Sequence, residues 1–276
     1  MLSRFSRHRP AVASVVVIAL LGLGAAFAGG LWLPDPIQIQ MGHKFAPPLT
    51  KGHLLGADEL GRDVLSRLLH AGRISLTVGV AAMLVTVTFG ALVGTLAGYF
   101  SGAIDGVLLR VTDAMLSFPP IFLLLALAAF VPPSLASMTL IIGVTSWMDV
   151  TRIVRGQMLA LREQEFVQGA RGLGASGGRI MLRHLLPNTV GIIAVAATLS
   201  VARAILLESY ISFLGYGIQP PLASWGNMLN NAQSYFASAP WVAIFPGIAI
   251  TLAVTSFNFL GDGLRDAFDP RHVMQR

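Results

Sequence analysis

Hydrophobic residues in this chain fall in long, nearly uninterrupted runs separated by short polar stretches. Six runs stand out: residues 11–33, 74–99, 107–131, 135–154, 189–214 and 241–260. A helix rises about 1.5 Å per residue, so roughly 20 apolar residues cross about 30 Å of hydrocarbon. The pattern predicts an all-α integral membrane protein with six transmembrane helices. The fourth run is the weakest, because Asp149 and Arg152 stand near its end. Pro119-Pro120 lies in the middle of the third run and should kink or break that helix. In the second run Gly90, Gly94 and Gly98 recur every fourth residue, which bares one helix face for close packing against a neighbouring backbone.

The most informative polar stretch joins the fourth and fifth runs. Residues 162–188 read REQEFVQGARGLGASGGRIMLRHLLPN and are rich in Arg and Gly. Residues 162–169 are predicted as a short helix with Phe166 and Val167 on its apolar edge, and residues 172–178 as a turn. Ser176 is placed to cap a second helix through Ile180, Met181, Leu185 and Leu186. Pro187 is expected to end that helix, and Asn188 to cap the fifth span. A pair of amphipathic helices with an arginine rim suits docking into a groove on a soluble protein. The alternative is a loop resting on anionic lipid. Both ends of the loop are held close to the bilayer, which argues against a major-groove DNA reader.

Charge placement orients the chain. With the N-terminus inside, thirteen of the 19 Lys and Arg fall on inner segments, five (Lys44, Lys51, Arg62, Arg67, Arg73) fall outside, and Arg203 lies within a span. This bias puts both termini and the 162–188 loop in the cytoplasm. The basic start and Ala26-Phe27-Ala28 would also suit a signal peptide, but the first run is long and five more follow. Outside, Pro34, Pro36, Pro47 and Pro48 favour an extended segment. Residues 63–73 look like an interfacial amphipathic helix with an Asp63–Arg67 pair. Ser224 is placed to cap a short helix over residues 225–234.

Composition agrees with a membrane class and narrows the chemistry. The 276 residues are 54% hydrophobic and 12% charged, against about 25% charged in soluble domains. There is no cysteine, so disulfides, thiolate metal sites and cysteine nucleophiles are excluded. No P-loop is present, and neither Lys44 nor Lys51 has that context. Residues 172–177 match G-x-G-x-x-G, but no predicted strand precedes them and no acidic residue follows at the spacing a dinucleotide site needs. The six histidines form no ligand cluster, and Asp58 and Asp63 lack calcium-loop spacing. The soluble pieces are too small to fold as separate catalytic domains. An intramembrane enzyme would need paired carboxylates or a Ser/His set within the spans, and neither is evident.

The polar loop resembles the cytoplasmic "EAA" motif of bacterial ABC importer permeases, written E-A-A, three residues, Gly, nine residues, I-x-L-P. The matching positions are Gln168-Gly169-Ala170, Gly174 and His184-Leu185-Leu186-Pro187. The first Glu, the first Ala and the Ile are replaced, and Ala170, Gly174, Leu186 and Pro187 remain. Residues 55–67 (LGADELGRDVLSR), 212–217 with Pro220-Pro221 and Trp225-Gly226, and 258–266 with Asp269-Pro270 also resemble the "C" permease of dipeptide, oligopeptide and nickel importers. The resemblance implies a type I ABC importer permease (MetI-like) architecture. It divides the chain into an N-terminal helix with extracytoplasmic segment (1–70), a permease core (71–263) and a cytoplasmic tail (264–276).

It also implies partners: a second homologous permease, two cytoplasmic ATPases that hold ATP and Mg²⁺, an extracytoplasmic solute-binding protein and the surrounding lipid of a bacterial inner membrane. No cofactor is expected on this chain, and no nucleic acid. Phe166, Gln168, Gly169, Ala170, Gly174, Leu186 and Pro187 would form the coupling loop. Peptide is the leading cargo, with nickel or a metal chelate as the alternative. Arg203 and Glu208 are candidates for the translocation path, since a peptide carries a charge at each end. They stand about 140° apart around one helix and do not form an i,i+4 pair. Asp149 is expected to pair locally with Arg152.

Overall fold

The computed structural model describes residue 5 and residues 8–30, 33–230 and 232–268. Arg4, Arg7, Arg271 and Arg276, counted in the charge bias, and the Asp269-Pro270 motif lie outside the described residues, as do Leu31 and Trp32 of the first run. The described secondary structure is helical, apart from two isolated β-bridges in the 33–63 segment. The helices are α1 (Arg9–Phe27), α2 (Val64–Phe100), α3 (Gly102–Leu116), α4 (Pro120–Phe130), α5 (Leu135–Arg162), α6 (Glu165–Gly172), α7 (Leu186–Phe213), α8 (Trp225–Leu229) and α9 (Trp241–Phe268).

Four helices among the described residues are long and apolar enough to cross a membrane: α1, α2, the continuous helix Gly177–Phe213 that contains α7, and α9. The pair α3–α4 makes a fifth span if counted as one broken helix, bent by 82° at the expected Pro119-Pro120 break. The fourth run, α5, is helical over 28 residues but carries Asp149, Arg152, Arg155 and Arg162, which keeps it from counting as a span by composition. Those charges are answered across space. Arg155 makes two 2.6 Å hydrogen bonds to Asp105 of α3, Arg152 reaches Asp113 of α3 at 2.5 Å, and Arg162 donates to the Ser101 hydroxyl at 2.9 Å.

Helix ends differ most from the sequence reading. Residues 63–73 are not a separate interfacial helix; they form the first turns of α2. Asp63 caps α2 by accepting from the Ser66 N–H at 2.7 Å and is bonded to His53 at 2.8 Å. It does not pair with Arg67, whose partner is Asp58 at 3.4 Å. At the other end of the molecule α5 runs on to Arg162, well past residue 154. In place of one helix over 225–234, the 215–240 loop holds the five-residue α8, with Ser224 in a capping box with Asn227, and a 3-10 turn at Ala232–Tyr235.

The bundle has two distinct ends. Near one lie the 162–188 loop, Ser101, the start of α1 and the end of α9; His8 approaches Asp266 at 3.8 Å, and Gly191 abuts Phe268. Near the other lie the segment 33–63 and the loop 215–240, joined where the Trp241 indole donates to the Ala57 carbonyl at 3.1 Å.

The largest helix interface is that of α2 with α5. A Cβ at Gly90 would stand 2.8 Å from the Trp147 carbonyl oxygen, at Gly94 2.6 Å from that of Thr151, and at Gly98 2.5 Å from Met158 Cβ. The Thr151 hydroxyl donates to the Gly90 carbonyl at 3.1 Å. Gly143 of α5 reciprocates against Val85 Cβ at 2.6 Å. These contacts require backbones that a side chain would separate.

Candidate functional site: the polar knuckle and the intramembrane charges

The 162–188 stretch folds as a compact knuckle. α5 ends at Arg162, and after a short break α6 runs from Glu165 to Gly172. Gly174 then takes φ +77°, the left-handed region where a side chain is strained. The turn is closed by the Gly174 N–H donating to the Arg171 carbonyl at 2.9 Å and the Ala175 N–H donating to the Ala170 carbonyl at 3.1 Å.

The second helix starts at Gly177, and Ser176 makes no side-chain cap. Nor does Pro187 end it. The backbone widens into a π-helical turn over Ile180–Leu185 and runs continuously into α7. Proline has no N–H to give the carbonyl one turn back and its ring crowds that carbonyl; a wider turn relieves both. The Asn188 side chain consequently does not cap a helix start but donates back to the His184 carbonyl at 2.7 Å.

The knuckle is rooted inside and open outside. Val167, Ile180 and Leu185 are buried in one cluster with Val154 and Met158 of α5 and Ala196 of α7. Gly177 sits against the Tyr99 hydroxyl of α2, leaving 2.6 Å for any Cβ. The expected apolar edge therefore splits: Val167 faces in, while Phe166 faces out with 45% exposure. Leu173, which the sequence reading did not single out, is 91% exposed at the tip. Gln168, Gly169, Gly174 and Pro187 are exposed, and Ala170 and Leu186 are half-buried. An outward apolar tip on a base fixed to three long helices can pass a rigid displacement into the bundle.

The charged residues within the spans arrange themselves otherwise than their spacing suggests. Asp149 does not pair with Arg152; it pairs with Arg203 of α7, across the α5–α7 interface. Their side chains are 46% and 41% exposed and line a cavity of about 210 Å³ with Thr86, Ser146 and Ser200. Glu208 lines no such space. It is fully buried, accepting from Ser212 at 2.6 Å and Ser75 at 3.1 Å. Ser75 also accepts from the Trp225 N–H at 3.1 Å, and Ser212 from the Ile218 N–H at 3.2 Å. A carboxyl that only accepts lets both hydroxyls satisfy a backbone donor, so Glu208 fastens the 215–240 loop to α2 and α7.

Among the described residues no group of three or more His, Asp or Glu is placed to hold a metal ion. The G-x-G-x-x-G stretch is the turn of the knuckle. Residues 90–273 match the family profile of the binding-protein-dependent transport system inner membrane component. The chain belongs to that family.

This permease also matches, over residues 1–48, the N-terminal transmembrane domain of oligopeptide transport permease C. It is 43% identical over 272 residues to a putative peptide permease protein of Brucella ovis, covering 98% of this chain and 89% of the relative. It is 42% identical over 270 residues to the oligopeptide transport system permease protein OppC of Escherichia coli, covering 97% and 89%. With the dipeptide transport system permease protein DppC of Alkalihalophilus pseudofirmus it shares 37% identity over 268 residues, covering 97% and 88%. The permease is thus a multi-pass membrane subunit of an ABC importer and not itself an enzyme.

Three features of the permease escaped the sequence. The Asp149–Arg203 pair joins residues 54 positions apart, and only helix packing brings them together. In the Ser75–Glu208–Ser212 node, Ser75 and Glu208 are 133 positions apart, although a glutamate in an apolar run is a signal that partners must exist. The Asp58–Arg62 pair, 2.7 Å and buried, has i,i+4 spacing but lies in a non-helical segment, where that spacing carries no signal.

Proposed function

We propose that this permease forms half of the translocation pore of a peptide importer. A second homologous permease completes the pore, two cytoplasmic ATPases bind ATP and Mg²⁺, and an extracytoplasmic binding protein delivers the cargo. In this reading both termini and the 162–188 knuckle face the cytoplasm. Residues 1–70 form the N-terminal helix and outer segment, 71–263 the core and 264–276 the tail.

One observation carries the coupling role: the knuckle exposes Phe166 and Leu173 while burying Val167, Ile180 and Leu185 among α5 and α7. ATP can shift a two-state equilibrium only if the docked loop contacts its partner differently in the two states. A tip held by a φ-restricted turn and a continuous helix moves as one body, whereas a slack loop would absorb the motion. Peptide as cargo is supported by the names of relatives 37–43% identical over nearly the whole chain.

The test is ATP hydrolysis and uptake in proteoliposomes. The purified permease alone should hydrolyse no ATP. Adding the ATPases, the permease partner and the binding protein should produce ATP-dependent accumulation of a short peptide. Hydrolysis by the lone chain, or accumulation without the ATPases, would refute the assignment.

A further inference from the structure

Asp149 stands about 20 Å from either end of α5 by helical rise, and Arg203 lies well inside α7. Both are close to half exposed, although they pair with each other. Lipid does not tolerate such a pair on its surface, and an apolar helix laid over it would strand the charges. The surroundings are polar as well. The Ser146 hydroxyl lines the same cavity, is buried and has no hydrogen-bond partner. A second cavity, of about 860 Å³, shares Ile153, Ala196 and Leu199 with the first and continues to Pro187, Asn188 and Arg265 at the knuckle end. The two form a trough along α5 and α7, leading from the charged pair toward the knuckle.

We propose that Asp149 and Arg203 form a docking pair for the charged ends of a peptide in transit. Arg203 receives the C-terminal carboxylate and Asp149 the N-terminal ammonium. Empty, the two residues neutralise each other; loaded, each exchanges its partner for a peptide terminus, so the local charge stays balanced in both states. The guanidinium is suited to a carboxylate by its fork of parallel donors, and Ser146 offers a further hydroxyl to the bound end. The proposal rests on the peptide-import reading above.

The complete transporter in proteoliposomes is supplied with trialanine or with trialanine amide, which lacks the terminal carboxylate. Dividing each variant's rate by the wild-type rate for the same peptide cancels the receptor's own preference. Arg203→Gln should lower trialanine uptake roughly tenfold or more and trialanine amide uptake by less than about threefold. An equal loss for both peptides, as a purely structural pair would give, overturns the proposal. If Arg203→Gln does not assemble, Ser200→Cys decides, because the chain has no cysteine of its own. A charged, membrane-impermeant thiosulfonate should modify it and block uptake; no modification in any nucleotide state overturns the proposal. If the wild-type transporter hydrolyses ATP in response to its receptor yet carries no peptide, the peptide reading fails and takes this proposal with it.

Discussion

Gly174→Pro should cut transport by the assembled importer about a hundredfold while leaving the permease in the membrane at its normal level. Gly174 holds φ +77°, and its N–H closes the knuckle turn on the Arg171 carbonyl. Proline fixes φ near −65° and has no N–H, so both conditions fail at once. Leu173, just before it, has φ −83° and ψ 8°, a conformation that a following proline disfavours. A penalty of about 3 kcal/mol corresponds to roughly two decades in an equilibrium. The spans do not depend on this turn, so insertion should persist.

Gly174→Ala makes the informative comparison. Nothing lies within 4 Å of an added Cβ, so alanine meets only the backbone cost. That cost is about 1–2 kcal/mol, or at most about thirtyfold. Uptake and membrane abundance, measured side by side for both variants, give the ranking. Unimpaired uptake by Gly174→Pro would show that the turn does not transmit motion.

The second large effect is expected from Gly94→Leu. Its first added carbon would stand 2.6 Å from the Thr151 carbonyl oxygen, 2.9 Å from Val154 Cβ and 3.1 Å from the Arg155 nitrogen. Two of these three atoms are backbone and cannot rotate away, so α2 and α5 must part. Overpacking of this kind costs about 1–3 kcal/mol, sometimes more. In a chain of this size that lowers Tm by roughly 2–12 °C. Gly106→Ala, where nothing lies within 4 Å, should change Tm little. Thermal scans in detergent test the contrast. Equal behaviour of the two variants would mean that the close α2–α5 approach is not what holds the bundle.

The sequence made legible what depends on local physics. Six apolar runs marked the helices, Pro119-Pro120 marked the break because proline acts on its own backbone, and the four-residue glycine spacing marked a bare face. What it concealed depends on partners. The charges on α5 pointed to an early end of the span, yet Asp105 and Asp113 of α3 and the Ser101 hydroxyl answer three of them, and the helix continues to Arg162. Asp149 has Arg152 three residues away, but the fold offers it Arg203 instead. Pro187 read as a stop because proline usually interrupts an α-helix, and a π-helical turn carries the chain past it. The knuckle itself was readable in outline from Gly174 and the amphipathic flanks. Which of its apolar residues root it and which present themselves outward was settled only by packing against α5 and α7.

The central claim, that the knuckle is where an ATPase grips the permease, is tested most directly at its tip. Leu173→Cys gives a single thiol on the most outward residue of the turn, in a chain otherwise free of cysteine. The permease, labelled at this thiol with a benzophenone maleimide and then assembled with its partners, should on illumination link this position to an ATPase subunit, with a yield that changes when ATP is added. A thiol reachable only from the receptor side, or one that never links to an ATPase, would contradict the account.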